Sequence, residues 1–233
     1  MTNLSLVLPV HNQADIIEPV YRDIRKTLQK IHITYECILV ENGSTDESKN
    51  AVFLLAKKYP HTKALTAPIG YGSAVIAGLH KAKGVYVCYM PSDGQIDLSV
   101  LPRLWGAINS RTWDMVKVHR TTRETVGRYV FSWCLSHLVA TLFGIPALDL
   151  NGSPRIFLRT KLTRLALSHK DSFIDIEFAV KAHRLNWKIK EFPMRTLPRF
   201  GGTSTRSWRT FVEFFSNIWR YRISDELSSW EQS

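Results

Sequence analysis

The chain opens on an apolar run, Ser5-Leu6-Val7-Leu8-Pro9-Val10, too short for a helix and too evenly apolar for a strand with one wet face. Runs of this kind are buried strands of parallel sheets. Ile16, Ile17, Val20, Ile24 and Leu28 follow at the spacing of one helical face. The two patterns then alternate. Glu36–Val40 reads as a second strand, and Thr45-Asp46-Glu47 sets capping and acidic residues before a helix over Ser48–Tyr59. Lys63–Thr66, Ser73–Ala82 and Val85–Met90 give a third strand, a third helix and a fourth strand. Strand and helix in turn, joined by short connections, predict an α/β chain with a mostly parallel sheet flanked by helices. Ligands of such sheets bind at the carboxyl ends of the strands.

Beyond residue 110 the pattern loosens. Asp114–Val118 predicts a strand, Val126–Phe143 an apolar helix, Ser172–Leu185 a helix and Lys188–Phe192 a strand. In Thr205–Arg222 the residues Trp208, Phe211, Val212, Phe215 and Trp219 share one helical face, with Arg206, Arg209, Arg220 and Arg222 at its margins. Three readings fit: a core-packed helix, an interfacial helix on an anionic membrane, and an oligomer contact. Tyr129–Leu148 is 20 residues long without a formal charge, the nominal length of a membrane span. Its Ser132, Ser136, His137, Thr141, Gly144 and Pro146 favour a buried or interfacial helix instead. Met1-Thr2-Asn3 carries no positive charge and the first apolar run ends at once in His11-Asn12-Gln13, so no signal peptide is expected.

Chemistry gathers at the strand ends. Pro9-Val10-His11-Asn12-Gln13 follows the first strand, Glu41-Asn42-Gly43-Ser44-Thr45-Asp46 the second, and Met90-Pro91-Ser92-Asp93-Gly94-Gln95 the fourth. Asp93 and Gln95 offer two oxygens, two residues apart on a tight turn. That suits Mg²⁺ or Mn²⁺, which ordinarily share their coordination with substrate phosphates. Gly70-Tyr71-Gly72-Ser73 precedes the third helix and would allow close backbone approach. It follows the wrong strand for a dinucleotide fingerprint. A Walker loop, a Gly-x-Ser-x-Gly elbow and a zinc-binding Cys/His cluster are absent from the sequence.

Charge adds a direction. The net charge of +11 is spread unevenly, with +3 over residues 1–118 and +8 over residues 119–233, so the second half should face something anionic. A pI near 9.7 admits nucleic acid, but no nucleic-acid-binding motif stands in the sequence, and none is expected as a partner. Cys37, Cys88 and Cys134 are odd in number, widely spaced and set in apolar runs. They predict reduced core thiols in a cytoplasmic protein.

Six ordered elements together resemble the family 2 glycosyltransferases of the GT-A fold, in the branch typified by dolichol-phosphate mannosyltransferase. They run from about Leu4 to Arg222: Pro9–Asn12, Glu41–Asp46, Gly70–Gly84, Met90–Gln95, Leu142-Phe143-Gly144 with Asp149, and Glu191-Phe192-Pro193 with Arg199–Ser204. The resemblance implies a Rossmann-like GT-A domain over residues 1–204, with an amphipathic C-terminal helix and tail over residues 205–233. It implies nucleotide contacts at Pro9, Val10, Asn12, Glu41, Asn42, Gly43, Gly70, Gly72, Ser92 and Asp93. A cation would sit on Asp93 and Gln95. Arg120, Arg128 and Ser132 would handle the acceptor phosphate, and Arg120, Arg128 and Arg199 would orient the reacting phosphates. Pro91 stands where the family places the first Asp of its Asp-x-Asp motif, and Glu41-Asn42 replaces its Asp-Asp pair.

The implied reaction moves a sugar, with inversion, from a GDP- or UDP-sugar to a polyprenyl or dolichyl phosphate. A hydroxyl acceptor on a saccharide or lipid would instead require a carboxylate base, for which Asp175 and Glu177 are the candidates beside their reading as helix-capping acids. A catalytically degenerate nucleotide-sugar-binding scaffold is the third reading. The implied location is the cytoplasm, peripheral on the membrane through Thr205–Arg222 or recruited there by a membrane protein.

Overall fold

In the computed structural model, residues 2–122, 126–146, 149–198 and 208–232 are described, without the side chains of Val126, Arg128 and residues 208–213. Seven strands form one sheet: β1 (Leu4–Val10), β2 (Tyr35–Glu41), β3 (Thr62–Thr66), β4 (Tyr86–Tyr89), β5 (Met115–Arg120), β6 (Arg155–Leu158) and β7 (Ile189–Met194). Their order is β3-β2-β1-β4-β6-β5-β7. All neighbouring pairs are parallel except those of β6, which runs antiparallel to both β4 and β5.

The strand pleat divides the core. Leu4, Leu6, Leu8 and Val10 of β1 face a layer formed with α1 (Ile17–Lys30), α2 (Ser48–Lys58) and α4 (Val100–Asn109). Val7 turns the other way, into the layer of α3 (Tyr71–Lys81) and α7 (Ile174–Arg184). A strand so used has no exposed side, which is why its sequence is apolar but for Ser5, whose buried hydroxyl donates to Glu36 Oε1. The helix faces match the spacing in the sequence: Ile17, Val20, Tyr21, Ile24 and Leu28 of α1 are all buried. Asp46 Oδ1 accepts the Ser48 amide at 2.9 Å, holding the entry to α2.

A third core joins α5 (Val126–Phe143), α7 and α8 (Trp208–Ile223) through Leu135, Val139, Phe143, Phe173, Ile176, Ile218 and Tyr221. After β6, a 3-10 turn (Arg159–Lys161) runs into the short α6 (Leu162–Leu165), and α9 (Glu226–Glu231) ends the described chain. Trp230 Nε1 donates to the Arg164 carbonyl at 2.9 Å, tying α9 to α6. Among the described residues no helix is long and apolar enough to cross a membrane.

Two expectations change. Cys37 and Cys88 are buried, but Cys134 is exposed on α5, because that helix is apolar around much of its circumference and only one side meets the core. Helix α3 starts at Tyr71, not Ser73, so Gly72 lies inside it.

Candidate functional site

Strands β2, β1 and β4 are neighbours, so the three polar strand ends meet at one edge of the sheet. They are stitched together mainly by backbone groups. Asn12 takes a left-handed backbone (φ 51°), which points its side chain back at the second loop. There Asn12 Oδ1 accepts the Thr45 amide at 2.8 Å, while the Asn12 amide donates to Ser44 Oγ at 3.1 Å. The Gln13 amide donates to Ser48 Oγ and the Ala14 amide to Asp46 Oδ2. Glu41 is buried and accepts the Ser44 amide, folding a turn through Gly43 at φ +75°, a conformation glycine takes without a steric cost. Asn42 donates its amide to the Val10 carbonyl, and its own carbonyl lies 3.1 Å from His11 Nδ1. Its side-chain oxygen is buried and meets no hydrogen-bond donor among the described residues.

The third loop is joined to the first through Ser92, which is fully buried and donates its hydroxyl to the Pro9 carbonyl. Asp93 Oδ1 accepts the Gln95 amide at 3.1 Å, the tight turn expected around Gly94. The Gln95 carbonyl accepts the Leu197 amide at 3.0 Å and Ile96 bridges Thr196. The segment leading to residue 199 thus lies beside the Asp93 turn. Arg199, residues 200–207 and the Arg128 side chain lie outside the described residues.

Pro9, Val10, Asn12, Glu41, Asn42, Gly43, Ser92, Asp93 and Gln95 are therefore brought together, and three other groups are placed differently. A Cβ on Gly70 would lie 2.4 Å from the Lys170 carbonyl oxygen, and one on Gly72 would lie 2.2 Å from that of His169. The close approach these glycines permit is to the protein's own backbone, where the Ser73 amide donates to the Lys170 carbonyl at 2.9 Å. Packing against the 168–171 segment accounts for glycine at both positions, beside the nucleotide contact expected of them.

Glu177 is fully buried on α7, its carboxylate held by the Ser168 and His169 amides, the Ser168 hydroxyl and Lys181 Nζ at 2.7 Å. So saturated, it has no face toward a substrate and serves the fold, against its expected place as a base. Arg120 grips Asp149 with its backbone amide, Nε and Nη2 at 2.7–2.9 Å. Ser132 is half-buried on α5, whose first residue comes six positions after Arg120.

Behind the Asp93 turn lies a set of charges that the motifs did not single out. Tyr89, Arg155, Lys117 and Glu191 are register partners across β4, β6, β5 and β7. Arg155 and Lys117 are only 1% and 2% exposed. Arg155 lies 3.1 Å from Asp175 Oδ1, which also accepts the Tyr89 hydroxyl at 3.0 Å, and its guanidinium stacks over the Tyr89 ring. Lys117 Nζ donates to the Asp149 carbonyl at 2.6 Å and lies 3.2 Å from Glu191. Burial, and after it the neighbouring Arg155 cation, pushes Lys117 below the ordinary lysine range. Burial works against the Arg155 charge too, yet Asp175 and Tyr89 hold it above its usual value. The signal was available in the sequence: Lys117 between Val116 and Val118, and Arg155 before Ile156-Phe157, are lone charges in apolar runs, which a core tolerates only when paired.

Residues 5–133 match the family Glycosyl transferase family 2. The chain belongs to that family. Among its relatives, a dodecaprenyl-phosphate galacturonate synthase from Rhizobium johnstonii is 27% identical over 173 residues, which are 70% of this chain and 50% of that protein. The chain thus spans about half the length of that synthase. An uncharacterized glycosyltransferase of Mycobacterium bovis is 27% identical over 208 residues, 86% of this chain and 88% of the other. Among solved structures, glucosyl-3-phosphoglycerate synthase from Mycobacterium tuberculosis in complex with Mn²⁺, UDP and phosphoglyceric acid superposes with a TM-score of 0.74 at 19% identity, covering 95% of this chain and 78% of that one. The same enzyme with Mg²⁺ and UDP gives 0.73 at 18%, covering 95% and 79%. These likenesses bear out the mostly parallel, Rossmann-like GT-A fold expected for a family 2 glycosyltransferase.

Proposed function

We propose that this family 2 glycosyltransferase is metal-dependent and inverting, and that it moves a sugar from a UDP- or GDP-sugar to a polyprenyl or dolichyl phosphate. The donor would lie across the three adjoining strand ends, against Pro9, Val10, Asn12, Glu41, Asn42, Gly43 and Ser92. Asn42 Oδ1, a buried acceptor without a donor among the described residues, is one group that a bound nucleotide could satisfy. The Asp93 carboxylate and the Gln95 side-chain carbonyl, two hard oxygens on one turn, fit Mg²⁺ or Mn²⁺. Such a cation, when bound, offsets negative charge on the departing diphosphate. The metal and UDP complexes of the mycobacterial synthase favour the same assignment.

The observation that carries the acceptor class is the state of the two candidate bases. Glu177 is saturated by four donor groups, and Asp175 is held between Arg155 and the Tyr89 hydroxyl. Neither is placed to take a proton from a hydroxyl. A phosphate acceptor needs none: its oxygen, already anionic, bonds to the anomeric carbon from the face opposite the leaving group. The bond from that carbon to the diphosphate oxygen breaks, and the nucleoside diphosphate leaves with the electron pair. Arg120, Arg128 and Ser132 would receive the acceptor phosphate, and Arg199 would close on the donor. Asp149 neutralises Arg120 in the resting site, so phosphate entry would exchange one anion for another. The galacturonate synthase, whose name carries dodecaprenyl phosphate, favours this acceptor. We place the enzyme on the cytoplasmic face of a membrane, met through Thr205–Arg222.

Thermal denaturation with UDP or GDP, with and without Mn²⁺ or Mg²⁺, tests the donor site. A ligand at 100 times its Kd adds about 2.7 kcal/mol, or several degrees for a chain of this size. One diphosphate should give a cation-dependent shift that Asp93→Asn abolishes. Sugar transfer should then occur to a polyprenyl phosphate and not to the matching polyprenol. Absence of any shift, or transfer to the alcohol alone, refutes the proposal.

A further inference from the structure

The buried cations Lys117 and Arg155 take no part in the chemistry set out above, and both end on one turn. Lys117 Nζ donates to the Asp149 carbonyl at 2.6 Å, and Arg155 Nη2 donates to the carbonyl of the next residue, Leu150, at 2.9 Å. The Gly152 amide closes the turn onto the same Asp149 carbonyl at 2.8 Å. A Cβ at Gly152 would lie 2.0 Å from the Val118 carbonyl oxygen, one residue along β5 from Lys117. Residues 149–152 are thus pressed against β5 and gripped by two buried charges.

This turn in turn holds Arg120. Asp149 Oδ2 accepts the Arg120 amide and Nε, each at 2.9 Å, and Oδ1 accepts Nη2 at 2.7 Å. One carboxylate therefore fixes both the main chain and the guanidinium of Arg120, in the two-pronged geometry that gives such pairs their direction. Lys117 is itself buried, so whatever it does for a ligand it does through these neighbours.

We propose that Lys117 is a positioning residue: through the Asp149 carbonyl it fixes the turn that aims Arg120 at an anionic acceptor. The acceptor half of this statement rests on the proposed function; the placing of Arg120 does not. The bond from Lys117 goes to main chain, so the Asp149 carboxylate can exchange Arg120 for a phosphate while the turn stays in place. Stability alone gives little reason for a cation at this position, because apolar residues of similar volume often replace a buried ion pair without loss. The charge is balanced locally by Glu191, 3.2 Å from Lys117 Nζ, whose other oxygen faces His119 at 4.0 Å.

The test is the double variant Lys117→Met/Glu191→Gln, which removes both charges of the pair and strands neither. KM for polyprenyl phosphate and for the nucleotide-sugar is measured beside kcat, and phenylglyoxal labelling of Arg120 is followed by mass spectrometry of its peptide. The KM for polyprenyl phosphate should rise about tenfold or more, as expected of a displaced binding group. The donor KM, kcat and the cation-dependent diphosphate shift should stay near the parent's. Arg120, no longer fixed on its carboxylate, should label several-fold faster. Unchanged acceptor KM with unchanged labelling overturns the proposal. A general fall in kcat and in the diphosphate shift overturns it too, since that marks a structural role alone. Should the double variant not fold, Lys117→Gln takes its place under the same two readouts; its shorter amide leaves Glu191 a donor without reaching the Asp149 carbonyl as well. A parent that transfers no sugar to polyprenyl phosphate removes the proposed function, and the labelling then decides the placing of Arg120 by itself.

Discussion

Replacing Arg155 with Met keeps much of the side chain's volume and removes its charge, which isolates the electrostatic role of the buried row. Arg155 and its partner Asp175 are both buried, and after the change Asp175 keeps the Tyr89 hydroxyl but loses its cation. Removing one member of a buried ion pair costs about 3–5 kcal/mol, most of it the penalty of the charge left behind. Here one term runs the other way. Lys117, pushed down by burial and by Arg155, is relieved of a like charge, so the lower half of that range is expected. For a chain of this size each kcal/mol moves Tm by about 2–4 °C, so Arg155→Met should lower it by about 6–16 °C. Adding Asp175→Asn to that variant should recover part of the loss, because the orphaned charge is gone. Urea denaturation of the two single variants and the double variant forms a cycle whose coupling should be of the order of 1–3 kcal/mol. A cost below about 1 kcal/mol for Arg155→Met, or strict additivity in the cycle, would refute the view that the row is held by its charges.

Other outcomes follow from the packing. Gly72→Ala sets a methyl 2.2 Å from the His169 carbonyl oxygen, and forced repacking of this kind costs about 1–3 kcal/mol; a neutral result in urea denaturation would show that the 168–171 segment yields freely. A maleimide should modify one thiol in the native chain and three in denaturant. Cys134 is exposed, whereas burial pushes the Cys37 thiol up to about 12 and Cys88 higher still, and mass spectrometry of the labelled peptides checks the site. Burial raises the Glu36 carboxyl, but Lys63, Ser5 and the Lys83 amide outweigh it and set the folded value below the ordinary one. Its stabilisation is therefore complete above the unfolded pKa of about 4.3 and is lost as pH falls through the lower folded value. Glu36→Gln should flatten the fall of Tm with acid in that window, and an unchanged acid limb would contradict this.

Much of the architecture was legible because its signals are local. The apolar strands β1 and β2 and the face of α1 are set by residues within one element, as are the polar clusters at the strand ends. What escaped was non-local or interrupted. Strand β6 is four residues long, starts on Arg155 and is bounded by Pro154 and Arg159, so it carries no strand pattern of its own. Helix α4 has the right period in Val100, Leu101, Leu104 and Ile108, but Pro102 and Gly106 break its appearance; Pro102 is tolerated because it falls in the first turn. At the site, the polar strand ends lie side by side as their place in the α/β pattern suggests, whereas the packing role of Gly70 and Gly72 is not legible locally. Their real neighbours, the carbonyls of His169 and Lys170, lie about a hundred residues away in the chain. Glu177 likewise looked available at the start of a helix, and only the fold brings Ser168, His169 and Lys181 onto it.

The place of β6 has a consequence for how the chain is made. As residues leave the ribosome, β1 to β4 with their helices can assemble first, because β1, β2 and β3 pair only within that set and β4 already has β1 on one side. Strand β5 emerges next with nowhere to go: its route into the sheet is β6, 35 residues past its end. Until Leu158 is out, the free edge of β4 stays open, a template for another chain. The interval is also one in which the apolar residues of α5 have no α7 or α8 to pack against. Residues 5–133, the stretch that matches the family, are therefore not a unit that could be excised and expected to fold. A truncated chain ending there should expose that edge and aggregate, and the shortest autonomous piece must run past β6 to β7.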